Sequence, residues 1–318
     1  MQRYPKPKTI SVIAPAHNEE KNIPLLFQAL ELFFSTHLPE VDWKMIIAVD
    51  PGTDKTVEVL EILGKADSRI QAVVLSQRFG QQMAIVAALD HANSDVVVMM
   101  DADLQHPPKV ILELISCYEE GHDVVYTIRR TPKDINIFKS LSSRLFYWFL
   151  NGISDVQLFS GEADFRLISR RVAHIFQTQM RERNQFLRGL FKWVGFPQKG
   201  IYFEANLRTH GKSKFSWNSL FKLAFNGLIG FSKKPLKFAI FIGLFFAIFG
   251  LFFTVVVLCN YFVSNKTPSG WSTLSILISV FGGMQMFFLG VLGEYIGAIF
   301  DEVKKRPLYL VEKKINVN

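Results

Sequence analysis

The residues best suited to chemistry lie in "DVVVMMDADLQHPP", Asp95 to Pro108, where the apolar run Val96 to Met100 passes straight into Asp101 and Asp103. On an extended chain two acids separated by one residue project on the same face. As close like charges they repel unless a cation stands near them. With oxygen donors and no histidine or cysteine cluster, the favoured ion is a hard one, Mg²⁺ or Mn²⁺, of the kind that also takes the phosphate oxygens of a substrate. Other acids follow apolar runs in the same way, Glu19 and Glu20 after the first and Asp50 and Asp54 after the second. Basic residues that could receive a phosphate are Arg129, Arg130, Arg166, Arg208, Lys212 and Lys214; arginine binds its oxygens bidentately and lysine acts as a point charge. Asp164, beside Phe165 and Leu167, is expected to be partly desolvated. It could orient an acceptor, accept a proton, or pair with an arginine such as Arg166 or Arg170. His17, His106 and His210 read as loop residues. No hydrolase triad or phosphate-cradling glycine loop stands out.

The elements that must position these residues alternate. "TISVIAPAHNEE" is an apolar strand, a loop and a helix beginning near Asn22 and Pro24; "WKMIIAVDPGTDKTVEVLEIL" repeats the order. "IQAVVLSQ" leads into "GQQMAIVAALDHA", the aspartate strand is followed by a helix around "KVILELISCYEEG", and "DVVYTIRR" comes next. Such βαβα order predicts an α/β fold with a mostly parallel sheet between helices, whose ligands sit beyond the carboxyl ends of the strands.

The chain of 318 residues, with a formal charge of +8 and 49% hydrophobic residues, divides into a charged N-terminal part to about residue 215 and an apolar C-terminal part. Two cysteines, Cys117 and Cys259, without ligand-like spacing, argue against a disulfide scaffold or a cysteine zinc site. The N-terminus lacks the long apolar core of a signal peptide. From Phe238 to Cys259 there is no charge, and at about 1.5 Å per residue that stretch spans roughly a 30 Å hydrocarbon core. Trp271 to Gly293 is nearly as apolar. The short "SNKTPSG" between them predicts a two-helix transmembrane hairpin over 237–300, with spans of about 238–262 and 271–295. Lys233, Lys234 and Lys237 precede it and Lys304, Lys305 and Arg306 follow it, against Lys266 alone in the turn. That asymmetry puts both ends, the N-terminal domain and the 301–318 tail in the cytoplasm. Residues 216–236 carry an apolar stripe at helical spacing, expected as a juxtamembrane helix in the headgroup layer, and a second stripe over 138–153 could face core or lipid.

Several ordered motifs accompany this layout: "VIAPAHNEE", "DADLQHPP", "ADFRLISRRV" at 163–172, "FLRGLFKWVGF" at 186–196, "RTHGKSKF" at 208–215 and "FSKKPLKF" before the apolar pair. On these the chain resembles the family 2 glycosyltransferases of the GT-A (Rossmann-like) fold, and within them the polyprenyl-phosphate glycosyltransferases. The resemblance covers nearly the whole length. It implies that Pro15, Ala16, Glu19 and Asp50 hold a nucleotide sugar, that Asp101 and Asp103 meet ribose, diphosphate and a Mg²⁺ or Mn²⁺ ion, and that Arg129, Arg208, Ser213 and Lys214 receive the lipid phosphate. Asp164, Asp103 and Arg129 are the implied catalytic set. The implied reaction is inverting transfer of one sugar, glucose from UDP-glucose, to a polyprenyl (undecaprenyl) phosphate at the inner membrane of a bacterium, with mannose or amino-arabinose as alternative sugars and a non-catalytic nucleotide-sugar scaffold as the alternative of another class. A nucleic-acid partner is not implied, and homo-oligomers are allowed for. The sequence departs from the family where His106 and Lys109 replace acids, Asp50-Pro51-Gly52 replaces Asp-Gly-Ser, Arg78 replaces asparagine and Asn226 replaces aspartate. "QFLRG", ending in Gly189, also departs from the Gln-x-x-Arg-Trp of processive synthases.

Overall fold

A computed structural model describes residues 3–130, 161–183, 185–206, 234–264 and 270–317. Four apolar runs become strands β1 (Thr9–Ala16), β2 (Asp42–Val49), β3 (Ile70–Leu75) and β4 (Val96–Met99), separated by helices α1 (Asn22–His37), α2 (Thr56–Ala66) and α3 (Gln81–Asp90). Then follow α4 (Val110–Glu119), β5 (Val124–Arg129), β6 (Glu162–Ser169), α5 (Arg170–Thr178), α6 (Leu187–Trp193) and β7 (Gln198–Phe203). The strands form one sheet in the order β7-β5-β6-β4-β1-β2-β3, extended at the β3 edge by β8 (Val311–Ile315). The β1–β2, β2–β3, β1–β4 and β5–β7 pairings are parallel.

Each strand alternates its side chains across the sheet. Ile10, Val12 and Ala14 of β1 join the core beneath α1, α2 and α4, whereas Ile13 joins the core beneath α3, α5 and α6. Burial on both faces explains why the central strands read as continuous apolar runs. In α3 every residue from Ala84 to Leu89 is buried, because the sheet covers one side and α5 packs on another.

Two features of this topology place the site. Strands β1, β2 and β3 progress one way and β4 then returns to the other side of β1, so the loops after β1 and β4 diverge and leave a crevice at their carboxyl ends. β6, by contrast, runs antiparallel between β4 and β5, pairing Met99 with Arg166 and Ile128 with Glu162. Its first residues therefore arrive at the edge where β4 and β5 finish.

The C-terminal apolar segments form helices α7 (Lys234–Ser264) and α8 (Trp271–Val303), which meet through an edge-to-face contact of Phe246 and Phe281, 5.4 Å between centroids. Many of their large apolar side chains are exposed, including Phe241 and Met286. Among the described residues one stretch, Val280–Val303, is long and apolar enough to cross a membrane, and Leu236–Phe252 is a shorter apolar helical stretch. The expected turn at 265–269, the stripes at 138–153 and 216–233, and Asn226 lie outside the described residues. After α8 the chain turns back onto the sheet. Leu308 is buried, Tyr309 donates its hydroxyl hydrogen to Asp90 Oδ2 at 2.6 Å, and β8 pairs antiparallel with β3. The sequence reading expected only a tail over 301–318; its strand was not anticipated.

Candidate active site

A cavity of about 860 Å³ opens at the carboxyl ends of β1, β2, β4 and β5. Asp101 and Asp103 both line it. They do not share a strand face as the two-residue spacing suggested, because β4 ends at Met99 and both acids lie in the following turn. The turn is built by its own polar groups: Asp103 Oδ1 accepts the Gln105 N–H at 3.1 Å, Leu104 takes a φ of 64°, and His106 Nδ1 accepts the Asp101 N–H at 3.0 Å. Asp103 is buried and Asp101 is one-third exposed, with Oδ1 accepting from Gln81 Nε2 at 3.2 Å. His106, where the family has an acid, stacks on Phe165 with centroids 4.8 Å apart. Burial holds its imidazole down at about 4, against the pull of Asp103 and Asp164, so the ring is neutral near pH 7 and serves as an acceptor.

Pro15, Ala16 and Glu19 line the cavity from the loop after β1. Glu19 Oε2 accepts from Asn22 Nδ2 at 2.6 Å. Glu20 and Asp54 lie apart from the cavity and tie two loops together, Asp54 Oδ2 accepting the Glu20 N–H and Glu20 Oε2 the Lys55 N–H, each at 3.0 Å. The approach of these loops also requires glycine at position 52, where a Cβ would come 1.8 Å from Asn18 Oδ1. Asp50 is buried at the cavity wall, and its two oxygens accept the N–H groups of Phe79 (3.0 Å) and Gly80 (2.8 Å). It thereby fixes the loop after β3, which carries Arg78 and Gln81 to the rim.

On the opposite side, Arg129 at the end of β5 is exposed and lines the cavity, its N–H donating to Gly161 O at 2.8 Å. Asp164 lines the same wall, held by Arg188 through a fork: Nε to Oδ1 at 2.8 Å and Nη2 to Oδ2 at 3.0 Å. Burial tends to raise its pKa, but the charge and hydrogen bonds of Arg188, with Arg166 nearby, more than offset this and hold it at about 2. Asp164 is therefore a fixed anion and a poor proton acceptor near neutrality. Arg166, expected among the phosphate receivers, is instead fully buried, with its guanidinium 4.6 Å from the Phe191 ring centroid and 3.6 Å from Glu162 Oε1. Arg130 is exposed and stands 3.6 Å from Glu204. His210, Arg208, Lys212, Ser213 and Lys214 lie outside the described residues.

Among the cavity-lining residues, sequence reasoning missed Glu162, Arg188 and Gln81. A signal existed for the first: Glu162, Asp164 and Arg166 alternate in one strand, and a charged alternation beside "FRLI" marks a strand with a polar face. Arg188 had none, since nothing local links it to Asp164, 24 residues earlier.

The two aspartates offer hard oxygen donors beside a cavity large enough for a nucleotide sugar. Among the described residues no third histidine, cysteine or acidic side chain joins them in a metal-binding group. The donor set fits a hard divalent cation whose remaining ligands would come from substrate oxygens and water.

This arrangement of crevice, paired acids and opposing arginines coincides with a match over residues 11–176 to the profile of Glycosyl transferase family 2. The chain belongs to that family. Relatives named as glycosyl transferases align along almost its whole length. The uncharacterized glycosyltransferase YkcC of Bacillus subtilis (strain 168) is 36% identical over 308 residues, covering 96% of this chain and 94% of its own. Bactoprenol glucosyl transferase of Shigella phage SfII is 33% identical over 304 residues, covering 96% and 97%. Among solved structures, mannosyl-3-phosphoglycerate synthase from Rubrobacter xylanophilus superposes on 69% of this chain and 71% of its own at 16% identity, with a TM-score of 0.47.

Proposed function

We propose that the protein transfers a single glucose, with inversion, from UDP-glucose to a polyprenyl phosphate at the cytoplasmic face of a bacterial inner membrane. The observation that carries this reading is the 33% identity, over 96% of the chain, to a protein named bactoprenol glucosyl transferase. The two unlike walls of the cavity support it: acids and loop backbone on the β1–β4 side suit a nucleotide diphosphate with its cation, and Arg129 on the β5 side suits a second phosphate. Lys234, Lys237, Lys304, Lys305 and Arg306 at the outer ends of α7 and α8 support the cytoplasmic assignment.

In this reading Asp101 and Asp103 hold the Mg²⁺ or Mn²⁺, which when bound supplies Lewis-acid stabilisation of the departing diphosphate worth several kcal/mol. Pro15, Ala16, Glu19 and Asp50 shape the nucleotide end. The acceptor phosphate is already an anion near neutral pH, so an oxygen of it can attack the anomeric carbon without a general base. What it needs is alignment opposite the leaving group. Arg129 provides charge for that, together with Arg208 and Lys214 by their motif, and Ser213 of the same motif offers a hydroxyl donor. Asp164, kept ionised, orients Arg188 at the wall rather than taking a proton.

The test is transfer of radiolabelled sugar from a panel of nucleotide sugars into extractable lipid, with polyprenyl phosphate and Mn²⁺ or Mg²⁺ supplied. Incorporation from UDP-glucose alone supports the proposal. Incorporation only from GDP-mannose or an amino-arabinose donor replaces the sugar, and nucleotide binding without turnover replaces the enzyme with a scaffold.

A further inference from the structure

Behind the acceptor wall lies a ladder of charges that touches the cavity only in part. Helix α6 presents Arg188 and Lys192 on one face, four residues apart, and β6 presents Glu162, Asp164 and Arg166 on one face. Arg188 grips Asp164, Lys192 Nζ stands 3.0 Å from Glu162 Oε2, and Arg166 lies between the acids, within 3.7 Å of each. Glu162, Asp164 and Arg188 line the cavity, whereas Lys192 does not. Its side chain is 13% exposed, with the ammonium itself buried 5.1 Å from the Tyr126 ring centroid, and burial lowers its pKa against the pull of Glu162.

A buried ion pair is a weak source of stability, because desolvating both charges offsets most of their attraction. Its distinctive property is direction. Glu162 sits beside Gly161, whose carbonyl receives the Arg129 N–H, and opposite Ile128 in the β5–β6 register. A strand irregularity between Tyr126 and Ile128 leaves this corner with fewer ladder hydrogen bonds to hold it.

Resting on the proposed reaction, we propose that Lys192 is a positioning residue: through Glu162 it fixes the corner where β5 ends and β6 begins, and so sets where Arg129, and Arg188 as held by Asp164, meet the acceptor phosphate. Lys192→Met in the full-length protein should raise the KM for polyprenyl phosphate on the order of tenfold, as expected of a small misplacement at a reacting group, while the KM for UDP-glucose changes less than twofold. Lys192→Arg should restore it. In the double variant Lys192→Met, Glu162→Gln the thermal midpoint should return toward wild type while the acceptor KM stays high; joint recovery of both would mean a structural role only and overturn the proposal. An unchanged acceptor KM in Lys192→Met would overturn it as well. Amide exchange in the peptide ending at Arg129, read by mass spectrometry, should accelerate in Lys192→Met, and no change there counts against the inference. That readout needs no turnover, so it decides the role of Lys192 even if the wild-type protein proves inactive on polyprenyl phosphate, a result that would sink the functional reading alone.

Discussion

Replacing Arg188 with methionine tests the electrostatic account of Asp164. In the folded protein that carboxyl sits at about 2, against an ordinary 3.8, although burial pushes it upward. Through linkage the difference is worth roughly 2–3 kcal/mol of stability, fully present above about pH 4 and lost as pH falls through about 2. Arg188→Met removes both hydrogen bonds of the fork and leaves Arg166 at 3.7 Å as the remaining nearby guanidinium. Breaking a buried pair costs about 3–5 kcal/mol; Arg188 is 27% exposed, which places this case at the low end. With Arg166 alone left to oppose burial, the folded-state pKa of Asp164 moves upward, so the stability that wild type draws from this group near neutrality is reduced in the variant and the gap between the two proteins narrows as pH falls. Chemical denaturation of both proteins at pH 7 and 4.5, followed by tryptophan fluorescence, measures the effect, and Asp164→Asn in the Arg188→Met background should recover much of it. Equal midpoints and equal pH slopes for Arg188→Met and wild type would refute the reasoning.

Asp103→Asn should lower sugar transfer on the order of 10³-fold, the kinetic equivalent of several kcal/mol of lost charge stabilisation, with an unchanged unfolding midpoint; substantial activity at any Mn²⁺ concentration would remove Asp103 from the metal site. Arg129→Ala should raise the acceptor KM about 10- to 100-fold, the worth of a hydrogen bond to a charged group, and leave the donor KM alone. The opposite pattern in steady-state kinetics would move Arg129 to the nucleotide side. Tyr309→Phe deletes the 2.6 Å hydrogen bond to Asp90 that pins the returning tail on α3. It should lower stability by about 1.5–3 kcal/mol in denaturant titrations without changing either KM, and a changed acceptor KM with unchanged stability would show that the tail acts on the site.

Much of the acidic wall of the cavity was legible because its signals are local. An apolar run followed at once by an acid marks a buried strand reaching its polar end, and Glu19, Asp50, Asp101 and Asp103 were all found that way. The reason given for Asp101 and Asp103 was incomplete, however: the strand stops two residues short, and the turn held by His106 and the Asp103 side chain brings the acids to the cavity. Asp50 was legible as a site residue, but its two backbone hydrogen bonds across to Phe79 and Gly80 were not.

The sequence by itself determined the α/β order, the acidic crevice and the apolar C-terminal helices, since side-chain periodicity and hydropathy are set by neighbours along the chain. Only the tertiary structure decided that β6 enters antiparallel between β4 and β5, that Arg166 is buried while Arg188 reaches the cavity, and that the segment after α8 returns as a strand on β3. Those outcomes depend on which distant surfaces can bury their apolar faces while satisfying their charges, and a carboxylate such as Asp164 acquires its partner only when packing has excluded water from both.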